Sequence, residues 1–335
     1  MAVAVENIIS VIVPFYNVKE CVPYCLGTLL DQTFDRYEVV CIDDGSFDGT
    51  AEILDSYLDN NKVKVFHIEN TGLSYARNFG VAVSTGELIT FVDGDDLVSP
   101  EYLMSLYTAY SGSKDCFAIG LCQRVSQNQA LGNRVHWETN TRVEVIAGQE
   151  LIDRILYESI LPSAVARLAP RSLYLNHPFP VDAYYEEIYT AGEHISCFSS
   201  FALVPKPIYG YVQRQNSIVR RRNAKFKQFT DYQKAVEKFL SDVDKFHPSK
   251  SGKRYFESLQ LSREFRLLDV INDSADKVKQ EKRVILGTVR RQLRLLLHDE
   301  GIASANKLRF LLLVHISCLY CRFFKIYDKF VKNIK

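Results

Sequence analysis

The chain has 335 residues, of which 47% are hydrophobic and 24% are charged. That composition is typical of a folded globular protein and argues against wholesale disorder. Basic and acidic residues nearly balance, at a formal net charge of +1, so the molecule is not a polycation and no nucleic-acid partner is expected. The length allows one large α/β domain and a smaller appendage.

Apolar runs alternate with helical patterns through the first third of the chain. Repeated strand–helix units of this length predict an α/β fold with a mostly parallel central sheet flanked by helices. The predicted strands cover residues 8–13, 37–42, 63–68 and 87–92, and the predicted helices cover residues 21–30, 50–58, 74–83 and 100–110.

Further along, the pattern weakens and then changes in kind. Residues 115–123 and 143–146 are predicted strands, and residues 149–157 are a predicted helix. Residues 202–211 contain two prolines, which predicts an edge strand because proline cannot donate a hydrogen bond to a neighbouring strand. From residue 223 the pattern is helical, so we expect a C-terminal helical extension over residues 223–335.

Two of the predicted strands end in clusters of acidic residues. The second strand runs into Asp43-Asp44-Gly45-Ser46, and the fourth runs into Asp93-Gly94-Asp95-Asp96. Ligands bind at the carboxyl ends of parallel strands, so both clusters are expected in one site. Crowded carboxylates repel one another unless a cation compensates them, and oxygen ligands suit Mg²⁺ or Mn²⁺. A solvated Asp-rich turn is the alternative for the cluster after the fourth strand, and a turn followed by a helix cap is the alternative for the cluster after the second.

A basic residue lies near the start of the helix that precedes the fourth strand. Arg77, followed by Asn78, occupies this position. A guanidinium there can hold a phosphate, or it can tie down an aspartate of the metal site. A structural salt bridge is the alternative, and the sequence leaves these roles open.

The acidic clusters belong to a longer, ordered set of short motifs. The motifs are Val13-Pro14-Phe15-Tyr16-Asn17, Asp43-Asp44-Gly45-Ser46 with Asp48-Gly49-Thr50, Asn70-x-Gly72, Ala76-Arg77-Asn78-x-Gly80, and Gly86-Glu87 leading into Phe91-Val92-Asp93-Gly94-Asp95-Asp96. Each motif is weak alone, but their order is highly specific. The ordered set resembles that of the bacterial family 2 glycosyltransferases, densely over residues 8–110 and more loosely to about Tyr211.

The resemblance implies a GT-A fold over residues 1–222, with a donor nucleotide-binding half at 1–110 and an acceptor half at 111–222. It also implies inverting transfer of a sugar from a nucleotide sugar, usually a UDP-sugar. The nucleoside pocket would be lined by Pro14, Tyr16 and Asp44. An Asp-x-Asp pair would contact the donor and a Mn²⁺ or Mg²⁺ ion. The residues expected to bind the donor are Pro14, Tyr16, Asp44, Arg77, Asp93 and Asp95, of which Asp93 and Asp95 are the expected metal ligands.

An inverting transfer needs a base that removes the proton of the acceptor hydroxyl as that hydroxyl attacks. The resemblance places this base in a Glu-Asp pair well after the metal motif. Here the matching residues are Glu186 and Glu187, with a glutamate where aspartate is usual. We expect Glu187 to be the base, with Glu186 as the second candidate. The alternative is an acidic pair that interacts favourably with the start of a helix.

The C-terminal region combines an apolar helical face with basic residues. Between residues 307 and 335 there are seven Lys or Arg residues and one acid. A basic amphipathic helix can lie on an anionic membrane, or it can pack on the catalytic domain or another subunit. The chain shows no signal-peptide pattern and no run of about 20 apolar residues. We therefore expect a cytoplasmic protein, with peripheral contact at the inner face of the cell membrane as an option.

These expectations combine into a metal-dependent glycosyltransferase of bacterial surface polysaccharide or glycoconjugate synthesis. Its acceptor would be a hydroxyl of a glycan, which can be linked to lipid or protein. A nucleotidyltransferase is a poorer match, because such enzymes carry a Gly-rich basic loop where this chain has Pro14-Phe15-Tyr16-Asn17. A catalytically silent glycosyltransferase-like subunit that binds a partner is the alternative.

Overall fold

The computed structural model describes residues 9–110, 115–132, 134–138, 142–214, 226–271, 275–317 and 320. The chain divides into two compact units, which span Met1–Leu151 with Pro162–Ser217, and Ile152–Leu161 with Ile218–Lys335. The short stretch 152–161 therefore groups with the C-terminal part of the chain, which its helical pattern alone does not indicate.

The described residues of the first unit contain nine strands that form one sheet. Along the sheet the order is β3-β2-β1-β4-β8-β6-β9-β5, and β7 pairs with β9 outside this path. The strands are β1 Ile9–Phe15, β2 Tyr37–Asp44, β3 Val63–Ile68, β4 Leu88–Phe91, β5 Leu97–Val98, β6 Cys116–Ser126, β7 Glu144–Ile146, β8 Arg167–Pro170 and β9 Ser200–Gln213.

Six of these strands point the same way. Strands β3, β2, β1 and β4 pair in parallel, and β6 pairs in parallel with β9. The intervening β8 is antiparallel to both β4 and β6, and β5 and β7 are antiparallel to β9. The expected α/β architecture with a mostly parallel sheet is therefore confirmed.

Helices cover the sheet because its central strands are mostly apolar and are buried on both faces. Every residue of β1 and β2 is buried, as expected for parallel strands with helices on both sides. The α-helices in the described part of the chain are α1 Val22–Leu30, α2 Thr50–Asp55, α3 Leu73–Val83, α4 Tyr102–Tyr110, α5 Gln127–Leu131, α6 Gly148–Leu156, α7 Arg171–Asn176, α8 Glu186–Ser196, α9 Phe226–Asp242, α10 Lys250–Leu268, α11 Ala275–His298 and α12 Ser304–His315.

Strand β9 is not an edge strand, so that prediction is wrong. It pairs with β6, β5 and β7. Its pairing with β6 shifts in register on both sides of Leu121, which pairs with Pro207. The prolines fall at this irregularity, where the chain needs fewer backbone donors, and a bulge is a position that tolerates proline in the interior of a sheet.

The second unit is helical, and its described residues share one hydrophobic core. Helices α9 to α12 supply that core with residues such as Phe229, Leu259, Val289 and Phe310. This confirms the expected C-terminal helical extension. Within the described part of the chain, no helix is both long and apolar enough to cross a bilayer. Most of the predicted basic helix, including residues 321–335, lies outside the described residues.

Close packing of α3 on β1 gives a test of the fold. A Cβ added at Gly80 would lie 2.3 Å from Cγ2 of Ile12, so Gly80→Ala is expected to cost about 1–3 kcal/mol through overpacking. Gly27, inside α1, has no atom within 4 Å of such a Cβ, so Gly27→Ala should instead add about 0.5–1 kcal/mol. The midpoint of urea denaturation measures both, and equal shifts would contradict the packing described here.

Candidate active site

The two acidic clusters meet at the carboxyl end of β1. Strands β2 and β4 both pair in parallel with β1, one on each side. The backbone N–H of Gly94 donates to the carbonyl of Pro14 at 3.2 Å. On the other side, the N–H of Asn17 donates to Oγ of Ser46 at 3.0 Å. The clusters from β2 and β4 therefore flank one strand end, as expected.

Glycine is required at position 94 by this close approach. A Cβ at Gly94 would lie 2.4 Å from Cδ1 of Phe15 and 2.7 Å from the carbonyl oxygen of Pro14. Any larger side chain would lift the Asp-rich turn away from β1. The turn is therefore held against the strand that carries Pro14 and leads to Tyr16.

The residues predicted to line the nucleoside pocket differ in their exposure to solvent. Tyr16 is 36% exposed and its ring meets that of Phe47 edge-on, with the centroids 6.3 Å apart. Pro14 is buried, and so is Asp44, whose carboxylate accepts from the N–H groups of Thr71 at 2.8 Å and Gly72 at 2.9 Å. The Thr71 hydroxyl also donates to Oδ1 of Asp44, at 3.3 Å. Asp44 thus fastens the loop before α3, and its Oδ2 has a further lone pair.

The Asp93–Asp96 turn is tied to β9 as well as to β1. The buried carboxylate of Asp96 accepts from the Tyr209 hydroxyl at 2.6 Å and from the N–H of Val212 at 2.7 Å. Asp95 pairs with Arg214. Burial raises the pKa of Asp95, and the charge of Asp93 raises it further, while Arg214 opposes the change.

One buried guanidinium connects this turn to the predicted catalytic residues. Arg77 is fully buried and contacts Asp93 at 2.9 Å, Glu186 at 2.8 Å and Glu187 at 3.0 Å. Burial alone would lower the pKa of Arg77, but the charges of Glu187, Asp93 and Glu186 overcome that effect and raise it. Arg77 is therefore a permanent cation that gathers three carboxylates.

The two glutamates begin α8 and are held there by their surroundings. The preceding Tyr185 has a φ of 62°, a conformation that costs energy for a residue other than glycine. Glu187 also accepts from the N–H of Ala164 at 3.2 Å. Burial raises the pKa of Glu187 to about 7; Asp93 and Glu186 add to the rise, while Arg77 opposes it. A carboxyl poised near neutral pH is suited to proton transfer.

The carboxylates of Asp93 and Asp95 fit a divalent cation whose other ligands come from a substrate. Within the described residues, no group of three or more His, Cys, Asp or Glu side chains could hold a metal ion. Mg²⁺, however, is usually bound by one or two carboxylates together with substrate phosphates and water. Arg77 contacts Oδ1 of Asp93, and Arg214 contacts Oδ2 of Asp95. The other oxygen of each aspartate remains as a donor of the kind such ions prefer.

Some of the residues that build this site belong to none of the sequence motifs. Arg214 follows β9, and its side chain reaches Asp95. Tyr209 and Tyr24 were not singled out, although the Tyr24 hydroxyl donates to the carbonyl of Asp95 at 2.9 Å. Tyr24 and Tyr209 are separated from their partners by 71 and 113 positions along the chain, so no local pattern indicates these contacts.

Comparison with known proteins identifies the family. Residues 10–173 match the model of glycosyl transferase family 2. The chain is 30% identical to glycosyltransferase GlyG of Streptococcus pneumoniae over 226 residues, which cover 64% of this chain and 74% of GlyG. It is 28% identical to GlyA of the same organism, over 64% of this chain but only 32% of GlyA.

Solved structures agree on the fold. The structure of S. aureus TarS 1-349 in complex with UDP superposes with a TM-score of 0.61 at 18% identity, over 94% of this chain and 88% of that one. The same TarS fragment in complex with UDP-GlcNAc gives a TM-score of 0.54 at 20% identity, over 78% and 82% of the two chains. At this identity the likeness shows a shared fold. The match to the family model and to GlyG establishes that the chain belongs to glycosyl transferase family 2.

Proposed function

We propose that this protein is an inverting glycosyltransferase. It moves a sugar from a nucleotide sugar, with a UDP-sugar as the donor, to a hydroxyl of a glycan that can be linked to lipid or protein. The observation that carries this proposal is the set of contacts of Arg77. Its guanidinium joins Asp93, at the predicted donor site, to Glu186 and Glu187, at the predicted acceptor side.

The donor site in this proposal lies at the carboxyl ends of β1, β2 and β4, within residues 1–110. Pro14, Tyr16 and Asp44 line the nucleoside pocket there. Tyr16 offers an exposed ring, and aromatic rings are suited to stacking on a base. The TarS structures contain UDP and UDP-GlcNAc, which supports a uridine nucleotide as the ligand of this chain.

Glu187 acts as the base on the acceptor side, within residues 111–222. Its carboxylate takes the proton of the acceptor hydroxyl while that oxygen forms a bond to the anomeric carbon. In the same displacement the bond from the anomeric carbon to the diphosphate oxygen breaks, and its electron pair leaves with UDP. Glu187 is 29% exposed and Glu186 is 13% exposed, so Glu187 is the more accessible of the two.

The charge of the leaving diphosphate is stabilised by positive groups at the same edge of the sheet. Asp93 and Asp95 would hold Mg²⁺ or Mn²⁺, which when bound stabilises the charge of the departing phosphate. Arg214 pairs with Asp95, and in this proposal its guanidinium also binds an oxygen of the diphosphate. Arg77, in contrast, is occupied by three carboxylates and orients them.

The acceptor and the cellular location belong to the same proposal. We place the protein in bacterial surface polysaccharide or glycoconjugate synthesis; its relatives GlyG and GlyA are glycosyltransferases of a bacterium. A cytoplasmic protein that touches the inner face of the membrane, or another subunit, through its basic C-terminal segment would fit a lipid-linked acceptor.

Nucleotide binding tests the donor site. Mn²⁺ is expected to strengthen UDP binding to the wild type, and Asp95→Asn should weaken binding in Mn²⁺ by at least about tenfold, or about 1.4 kcal/mol. Isothermal titration with and without EDTA measures both effects. Asp35→Asn is the control, since Asp35 is exposed and precedes β2 at the opposite end of the sheet. UDP affinity that ignores Mn²⁺ would argue against the metal site.

Turnover tests the base. Glu187→Gln is expected to lower the rate of UDP release from the best donor of a UDP-sugar panel by about 10²–10⁴-fold, the range for loss of a general base. Glu186→Gln should keep most of the activity, and the reverse ranking would move the role to Glu186. UDP binding by the wild type with no turnover of any donor would favour the silent subunit.

The same variant should gain stability in alkaline buffer. Burial raises the pKa of Glu187 to about 7, so the ionised form of Glu187 destabilises the folded protein. This loss of stability begins as the pH rises past the ordinary carboxyl pKa and is complete above pH 7. Glutamine carries no charge, so Glu187→Gln should raise the Tm at pH 8 and leave it nearly unchanged at pH 4.5. A lower Tm at pH 8 would instead show that the charge stabilises the fold.

A further inference from the structure

Asn78 makes a pair of hydrogen bonds that the reaction described above does not use. Its side-chain nitrogen Nδ2 donates to the carbonyl of Phe179 at 2.8 Å, and its Oδ1 accepts from the N–H of Phe179 at 3.0 Å. The reversed amide would face two groups of the wrong kind, so this orientation is fixed by its partners. One side chain of α3 thus binds both backbone groups of a residue 101 positions away.

Phe179 is a firm anchor for this contact. Its side chain is only 2% exposed, and its ring meets those of Phe91 at 5.4 Å and His194 at 5.6 Å. The guanidinium carbon of Arg77 lies 5.4 Å from the centre of the same ring. Phe179 therefore forms part of the wall against which Arg77 is buried.

The chain from Phe179 to the glutamates needs such an anchor. Glu186 follows Phe179 by seven residues, and the segment between them contains Asp182 at a φ of 59° and Tyr185 at a φ of 62°. Backbone of this kind persists only when its surroundings hold it in place. The contacts of Asn78 hold the start of the segment, and the contacts of Arg77 hold its end.

We propose that Asn78 is a positioning residue that sets where the glutamates lie. Arg77 and Asn78 are neighbours on α3. The same turn of this helix therefore contacts both the glutamates and the segment that leads to them. These contacts keep Glu187 at a fixed position relative to Asp93 of the donor site. The inference rests on the proposed function only for the role of Glu187, since the contacts themselves hold without it.

Removing the pair of hydrogen bonds tests the inference. Asn78→Ala should speed hydrogen–deuterium exchange in the peptide 181–187 and lower the rate of UDP release by about 10–100-fold, because a displacement of about 1 Å at a reacting group can cost this much. The affinity for UDP, measured by titration, should change by less than about threefold. Rates are compared per UDP-binding site, which removes the effect of misfolded protein.

A second variant and a matched control sharpen this test. Asn78→Gln keeps both polar groups on a longer side chain, so it should fold and still displace the segment. In the control, Gln32 is a buried amide that donates to the carbonyl of Ser99 at 2.8 Å and accepts from the N–H of Leu103 at 3.0 Å. Gln32→Ala should destabilise the protein without faster exchange in 181–187.

The outcomes separate this inference from the proposed function. Unchanged exchange in 181–187, or a wild-type rate per UDP-binding site in both Asn78 variants, would overturn the positioning role. If Asn78→Ala binds no UDP, Asn78→Gln decides by the same two measurements. If the wild type turns over no donor, the proposed function fails, while the exchange experiment still decides whether Asn78 holds the segment.

Discussion

The structure of the site depends on one buried cation, the guanidinium of Arg77. It contacts Asp93, Glu186 and Glu187, which come from strand ends and helices far apart in the sequence. Taking a guanidinium out of water is costly unless its charge and its donors are met. The three carboxylates can approach one another only because this cation lies between them. Arg77 therefore fixes the start of α8 relative to the Asp-rich turn after β4.

Among the described residues in direct contact here, carboxylates outnumber guanidinium groups. Five carboxylates, those of Asp93, Asp95, Asp96, Glu186 and Glu187, lie around the guanidinium groups of Arg77 and Arg214. The excess helps to raise the pKa values of Asp95, Asp96 and Glu187 above their usual range, in addition to the effect of burial. A site with this imbalance suits a divalent cation and a base that takes up a proton near neutral pH.

Contacts with the sheet fix the positions of these charged side chains. Gly94 lets the Asp-rich turn lie against β1, while Asp96 fastens the same turn to β9 through Tyr209 and Val212. The turn is thus held from a strand on each side. The bulged pairing of β9 with β6 allows a proline-containing strand to serve inside the sheet, where its far end brings Arg214 to Asp95.

The sequence by itself determined the strand–helix alternation, the parallel arrangement of the first strands and the convergence of two acidic clusters, because these follow from local periodicity and from the rule that parallel strands end at one edge. Tertiary structure decided what each group contacts. The sequence left Arg77 open between a phosphate, an aspartate and a structural ion pair, and only folding showed it joined to three carboxylates. The burial of Asp44, the place of β9 inside the sheet and the bond of Asn78 to Phe179 arise between segments distant in the chain. No local pattern encodes such pairings, since they depend on which surfaces meet when the core packs.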